Sequence, residues 1–393
     1  MDHEFVIVSA NRTAIGRVGG RLKEVPAGNL AATTIKDAIE RAGLEPEQIN
    51  EVIFGEVRQS TESSNLARVA ALRAGIPHEA SAFTVNRLCA SGIQAVVSGV
   101  QHLAFNPDNI VVAGGAENMS RAPIYLRNSR YGEGNPYLVD SNLENGQQPI
   151  EVFGKDLGMG ITAENVAEKY NISREDQDAF ALESQNRAKL AIESESFKSQ
   201  IVPIEIKTRK NTSIFQIDEH PRDTTLEKLT QLKPVFKKDG TVTAGNACGR
   251  NDGASSLVLM TREKASNIGV KPIAKIINWS TAGVDPRYMG IGPVPAIEKL
   301  LKKTGLKVED IGLFELNEAF ASQSLAVIRE AKLDPDKINV NGGAIALGHP
   351  LGATGAIIIT KLIHEMQKRQ ERYGIATLCI GGGQGMAILL ELA

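Results

Sequence analysis

Three cysteines and six histidines are the side chains of this 393-residue chain best suited to nucleophilic or acid–base chemistry. Cys89 sits in the run Asn86-Arg87-Leu88-Cys89-Ala90-Ser91-Gly92, and Ile93, Val96, Val97 and Val100 follow it at helical spacing. That pattern puts the thiol at the start of a helix, where unpaired amides and the helix dipole favour a thiolate. Two readings stand at this point: a nucleophile, or a buried structural thiol. Cys379 closes a strand over residues 376–380 and runs directly into Gly381-Gly382-Gly383. A phosphate-cradling glycine loop would need a helix and a further strand beyond it. Residues 386–390 instead read as a returning strand, so the glycines bring bare backbone N–H groups near a ligand oxygen. Cys248, in Ala244-Gly245-Asn246-Ala247-Cys248-Gly249, reads on its own as structural.

Among the histidines, His3, His78, His102, His220 and His364 lie near the terminus, in turn-like contexts or on charged helical segments, where surface or packing roles suffice. His349 differs. It lies in Asn341-Gly342-Gly343-Ala344-Ile345-Ala346-Leu347-Gly348-His349-Pro350-Leu351-Gly352, and such small neighbours let a ligand approach the imidazole. No second His, Asp or Glu stands near it at metal-ligand spacing, so a metal site is not expected. Asn317-Glu318-Ala319-Phe320 follows the strand Leu313-Phe314-Glu315-Leu316, and thus sets polar groups at a strand's C-terminal end, where α/β proteins bind ligands. Taken alone, Glu318 also fits a carboxylate at a helix start.

Strands and helices alternate around these residues. Residues 5–8, 52–54 and 110–113 are β-branched runs, the last ending at Gly114-Gly115. Leu30, Ile35, Ala38, Ile39 and Ala42 recur at helical spacing and are closed by Gly43. The rhythm is βαβ, with helices on the faces of a parallel or mixed sheet. Parts of it occur twice: Ala42-Gly43-Leu44, Ile49 and Ile53-Phe54 recur as Thr304-Gly305-Leu306, Ile311 and Leu313-Phe314. Gly114-Gly115-Ala116-Glu117-Asn118-Met119 then lines up with Gly381-Gly382-Gly383-Gln384-Gly385-Met386. Near-constant offsets in one order indicate two similar halves. Between them, residues 119–250 are richer in polar and charged side chains. They hold a loop signal at Tyr131-Gly132-Glu133-Gly134-Asn135-Pro136 and an N-cap at Ser173, with Asp176 three residues on. An insertion with its own helices reads as a subdomain that covers substrate.

Composition narrows the class. Lys plus Arg number 44 against 46 Asp plus Glu, so the net charge of −2 argues against a nucleic-acid binder and against a polybasic membrane anchor. Glycine is abundant at 37 residues while aromatics make up only 5%, as expected of closely packed α/β layers. Three cysteines cannot build a disulfide framework. No leader is expected ahead of the first strand, no membrane-span-length apolar run is expected, and Glu391-Leu392-Ala393 does not read as a peroxisomal or retention address; a reducing cytoplasm is the expected setting.

Four segments together resemble the motifs of the thiolases, which are acetyl-CoA C-acetyltransferases and 3-ketoacyl-CoA thiolases. They are Asn86-x-x-Cys89-x-Ser91-Gly92, Asn317-Glu318-Ala319-Phe320, Gly343-Ala344-Ile345-Ala346-Leu347-Gly348-His349-Pro350 and Cys379-Ile380-Gly381-Gly382-Gly383. The resemblance covers essentially the whole chain, including residues 240–246 and Asn251-Asp252-Gly253-Ala254. It implies the thiolase-like α/β fold: two duplicated βαβαβαββ halves in a five-layered α-β-α-β-α core, with an inserted loop domain. Residues 1–118 would form the N-terminal half, completed by about 251–270. Residues 119–250 would cover the CoA site and 271–393 form the C-terminal half.

The resemblance also implies roles. Cys89 would be the nucleophile that takes the acyl group, His349 its activating base, and Cys379 the acid/base for the α-proton of the second acetyl-CoA. One oxyanion hole would be made by the His349 side chain and a water held by Asn317. The other would be made by the backbone N–H groups of Cys89 and Gly381. Met159, Arg222, Cys248, Met289, Ala319 and Phe320 match substrate-binding positions. Two departures stand out: Gly158 replaces the histidine that precedes Met159 in the acetoacetyl-CoA branch, and Cys248 replaces the usual serine near pantetheine. The implied reaction is reversible formation of acetoacetyl-CoA and CoA from two acetyl-CoA, with cleavage of longer 3-ketoacyl-CoA as the alternative. Acyl-CoA and CoA are then the only ligands implied: no cofactor, no metal, no nucleic acid and no membrane, in a homodimer or homotetramer. A ketoacyl-synthase-like condensing enzyme is disfavoured by Asn317 and Cys379, and an inactive CoA- or lipid-binding carrier by the intact set of four.

Overall fold

The computed structural model describes residues 3–132, 134–144, 146–207 and 211–393. Counting core strands only, the first half contributes β1 (Phe5–Thr13), β2 (Glu51–Gly55), β3 (Ser81–Val85), β4 (Val111–Asn118) and β5 (Asn251–Thr261). They lie side by side in the order β3-β2-β4-β5-β1. The β2 strand is parallel to both β3 and β4, whereas β5 is antiparallel to β4 and to β1. The second half supplies β6 (Ala274–Gly283), β7 (Leu313–Leu316), β8 (Tyr373–Ile380) and β9 (Gln384–Leu392) in the order β7-β8-β9-β6. Ile338 adds a parallel bridge to Phe314 in β7, where β3 stands in the first half. Order and sense therefore repeat. Gly43 and Gly305 repeat as well, each ending its helix with a positive φ, +67° and +73°, that only glycine adopts without strain. The halves join where Phe5, Val6 and Ile7 of β1 pair antiparallel with Ile276, Lys275 and Ala274 of β6.

Helices fill the layers. On the outer face of the first half lie α1 (Ala27–Arg41) and α2 (Leu66–Arg73), burying Leu30, Ile35 and Ile39. Between the halves run α3 (Ser91–Phe105) and a long helix over Leu351–Arg369, which touches β4 and β5 on one side and β7 and β8 on the other. The two helices cross at Gly92 and Gly355. A Cβ on either would strike the other helix's backbone, so glycine is required for the halves to close. By length and mean hydropathy the stretch Leu88–Phe105 would suffice to cross a membrane, but over half of it is buried and its apolar faces pack on the two halves. Strands β1 and β4 are buried along nearly their whole length because both faces are covered, and even Asn11, Arg12 and Thr13 of β1 are enclosed.

The strand expected to stop at Gly114-Gly115 runs on to Asn118. There the glycines serve close packing, since a Cβ on Gly115 would strike the backbone of Gly352. Gly381–Gly383, by contrast, form a turn between β8 and β9. The intervening segment carries a hairpin of Ile124–Arg127 with Tyr137–Asp140, whose tip holds the expected loop; Glu133 lies outside the described residues. Next come α4 (Met159–Lys169) and α5 (Arg174–Glu193), the latter capped by Ser173 Oγ accepting from Asp176 N–H at 3.0 Å. A fully buried pair ties this segment to β1: Arg12 donates to Asp218 at 2.8 and 2.9 Å and to Gln200 at 2.7 Å.

Candidate active site

Cys89 lies two residues ahead of α3, at the apex of a turn built by its own motif. Leu88 adopts φ +47°, unusual for a branched side chain, and the turn is locked on both sides. Asn86 Oδ1 accepts from Leu88 N–H at 2.9 Å. Ser91 Oγ accepts from Arg87 N–H at 2.9 Å and donates to Leu88 O at 2.6 Å. The Asn and Ser of the motif thus hold the bend that presents the thiol.

His349 is positioned just as tightly. The segment Ala344–Leu347 forms one short helical turn, and Gly348 follows at φ +106°, a conformation a Cβ would forbid, since it would also collide with the Asn251 side chain. Asn251 Oδ1 accepts from His349 N–H at 3.0 Å, and its Nδ2 donates to Gly16 O at 3.0 Å. On the ring, Nδ1 lies 2.7 Å from Thr354 Oγ1, whose proton is donated to Pro350 O at 3.1 Å. The hydroxyl has only lone pairs left for the ring. That arrangement assigns the hydrogen to Nδ1 and the lone pair to Nε2, which is buried without a partner. Burial holds this imidazole down to about 4, so it is neutral at ordinary pH.

Glu318 does not line the cavity that holds the three thiols and His349. Its buried carboxylate accepts from Ser184 Oγ at 2.7 Å, Asn339 Nδ2 at 2.8 Å and Ile345 N–H at 3.2 Å. It does not cap the helix that follows it, Ala321–Glu330, whose first turn holds no acidic residue; it caps instead the short turn leading to His349, and so couples the β7 exit to that turn. Alongside, Cys248 N–H donates to Ala319 O at 3.0 Å and Ala247 bridges Phe320, which lays the Gly-Asn-Ala-Cys loop against Asn317–Phe320.

These elements enclose one cavity of about 500 Å³ lined by Cys89, Cys248, His349, Cys379 and Gly381, and by Met159, Met289, Ala319 and Phe320 among others. Asn317 is not in that wall: it is 1% exposed, neither of its side-chain polar atoms has a partner, and it borders a separate space of about 20 Å³ shared with Thr354 and Lys361. That volume holds one water molecule. Arg222 is not in the wall. It is exposed, its N–H bound to Gln185 Oε1 at 3.0 Å. His220 is buried against Gly249, beside Cys248, rather than on the surface.

The electrostatics correct one expectation. Desolvation raises the Cys89 thiol above its ordinary value, outweighing the N–H groups of Gly381 and Cys89 and the charge of Arg58, which pull it down. The side chain meets the cavity but is otherwise enclosed by protein, and the first turn of α3 lies too far along to dominate. Burial likewise pushes Cys248 up to about 12 and Cys379 well above its usual range, each raised further by its fellow thiols. The resting site is thus thiol and neutral imidazole. Any reaction of Cys89 as a thiolate would first need removal of its proton. The wall also includes residues absent from the sequence expectations: Arg58, Asn142, Gln147 and Phe236. They come from loops without periodicity, and only the polar bias of residues 119–250 hinted at any of them.

Comparison with known proteins agrees with this architecture. The family model described as Thiolase, N-terminal domain, matches residues 5–263, and that of Thiolase, C-terminal domain, matches residues 270–392. An acetyl-CoA acetyltransferase of Syntrophomonas wolfei is 48% identical, with 100% of each chain covered. The crystal structure of the Bacillus anthracis acetyl-CoA acetyltransferase superposes with TM-score 0.96 at 48% identity, covering 100% of this chain and 99% of that one. Human mitochondrial 3-ketoacyl-CoA thiolase in complex with CoA gives TM-score 0.93 at 44% identity, covering 100% and 98%.

Proposed function

The chain belongs to the thiolase family, and on that premise we propose that it catalyses the reversible condensation of two acetyl-CoA to acetoacetyl-CoA and CoA through an acyl-Cys89 intermediate. One observation carries the reading: Cys89, Cys379 and Gly381 share a cavity with a neutral His349 whose Nε2 is unpaired. The Cys89 sulfur attacks the thioester carbon as its proton passes to Nε2. The developing oxyanion takes hydrogen bonds from the N–H groups of Cys89 and Gly381, and CoA leaves with the proton from His349. In the second half, transfer of the Cys379 proton to Nε2 makes two groups competent at once. The Cys379 thiolate removes the α-proton of acetyl-CoA, while Nε2–H and a water held by Asn317 donate to the enolate oxygen. The carbanion attacks acetyl-Cys89, the C–C bond forms, and the released Cys89 thiolate recovers its proton from His349.

Met159, Met289, Ala319 and Phe320 wall the acyl-bearing region, and Cys248 stands where a serine would bond pantetheine, a weaker partner. Arg222, exposed, is assigned to the CoA nucleotide. In this reading CoA is substrate and product, no metal or resident cofactor takes part, and the protein works in the cytoplasm as a homodimer or homotetramer. The size and apolar lining of the cavity favour a second reading, cleavage of longer 3-ketoacyl-CoA, which the likeness to the human 3-ketoacyl-CoA thiolase also supports. CoA-dependent cleavage of 3-ketoacyl-CoA with four, eight and twelve carbons separates them. Activity confined to four carbons is expected. Comparable rates at eight and twelve would favour the second reading, and no cleavage at any length would overturn both.

A further inference from the structure

Resting on the thiolase reading, we propose that the cavity also accepts 3-oxoacyl-CoA whose acyl chain ends in a carboxylate, and that Arg58 is the residue that selects for it. Arg58 follows β2 on a loop clamped by Glu117, whose carboxylate accepts from Val57 N–H and from Arg58 N–H, both at 3.0 Å. Its side chain is half-buried and lines the same cavity as Cys89. The Nε atom is buried and unpartnered, and the guanidinium makes no ion pair with any described residue. One buried donor of this guanidinium is thus left unsatisfied, which favours a ligand that brings an acceptor to it. Other charges on the wall are accounted for: Glu144 is held by Arg127 at 2.9 Å, and Asp156 and Arg250 are exposed to water. Two amide oxygens on the wall, Asn142 Oδ1 and Gln147 Oε1, are also buried and unpaired. The five N–H donors of one guanidinium can serve such an oxygen and a carboxylate together.

The cation lies close enough to Cys89 for its charge to bear on the thiol. Arg58 and Cys89 line one cavity, so a short acyl chain on that sulfur that ends in a carboxylate can set that end by the guanidinium, whereas a methyl-ended chain leaves it unpaired. The chemistry is that already described. The Cys89 sulfur bonds to C3 and the C2–C3 bond breaks. C2 takes a proton and departs as acetyl-CoA, and CoA then lifts the diacyl group off as its thioester, the carboxylate unchanged.

The test compares kcat/KM for CoA-dependent cleavage of acetoacetyl-CoA, 3-oxohexanoyl-CoA and 3-oxoadipyl-CoA, the last two alike in length but ending in methyl and carboxylate. The unaltered enzyme should favour 3-oxoadipyl-CoA over 3-oxohexanoyl-CoA by at least about tenfold. R58L should lower that ratio roughly ten- to hundredfold, the range for a lost hydrogen bond to a charged group. R58K, which keeps the cation, should retain part of it. A preference for the methyl end, or a ratio that R58L leaves unchanged, overturns the inference while the thiolase reading stands. An equal loss on all three substrates would assign Arg58 to CoA or to the fold and would also overturn it. Failure to cleave any of them removes the thiolase reading and this inference with it.

Discussion

Replacing Thr354 with valine keeps the volume of a buried side chain and removes one acceptor, the oxygen that receives His349 Nδ1–H at 2.7 Å. In T354V that N–H is left buried without a partner, at a cost of about 1–3 kcal/mol. The ring escapes by moving its hydrogen to Nε2, which removes the lone pair that takes the Cys89 proton in the proposed mechanism. Since about 1.4 kcal/mol corresponds to a tenfold change in population, the competent tautomer should fall roughly ten- to hundredfold. Quenched-flow acetylation of the enzyme by acetyl-CoA reads this directly. The acetylation rate should drop by that factor while KM for acetyl-CoA shifts less than about threefold, and T354S, which restores the oxygen, should recover most of the rate. A T354V enzyme that acetylates at the original rate refutes the tautomer argument. So does a T354S enzyme as slow as T354V, since the methyl group rather than the oxygen would then be at work.

Gly348 offers a backbone test. G348A forces a Cβ into the Asn251 side chain at φ +106°, so unfolding by denaturant should show a loss of about 1–3 kcal/mol, with thiolysis at least tenfold slower; full stability would contradict the strained geometry. Glu56 gives a pH test. Burial, reinforced by Glu117, raises its carboxyl to about 8 against 4.5 in the unfolded chain. Over that window the native state keeps a proton that the unfolded chain has released, so Glu56 erodes stability as pH rises from about 4.5 to about 8. E56Q should match the unaltered protein near pH 4 and exceed it above pH 8 in chemical denaturation, and two curves that stay parallel would contradict the assignment.

Cys89, Cys379 and His349 were legible because local sequence marks them: a thiol before a helical stripe, a thiol before three glycines, an imidazole among residues too small to crowd a ligand. The duplicated halves were legible from short repeats, and the C-cap glycines Gly43 and Gly305 bear them out. Glu318 was half legible. A capping carboxylate was readable but not the turn it caps, since its partners Ser184, Asn339 and Ile345 come from segments brought near only by the fold. The state of Cys89 was misread because proximity to a helix start is a sequence property, whereas desolvation depends on what the other half and the inserted segment place around the sulfur. Arg58 and Gln147 carry no pattern at all, since a loop residue acquires its neighbours only in three dimensions.

Mass analysis of the Cys89-containing peptide after incubation with acetyl-CoA tests the central claim most directly, in the unaltered enzyme and in C89A and C379A. The account predicts an acetyl group on Cys89 in the unaltered enzyme, none in the active site of C89A, and a retained acetyl group in a C379A enzyme that no longer forms acetoacetyl-CoA. Acetylation of the C89A active site, or condensation by C379A at the original rate, would contradict it.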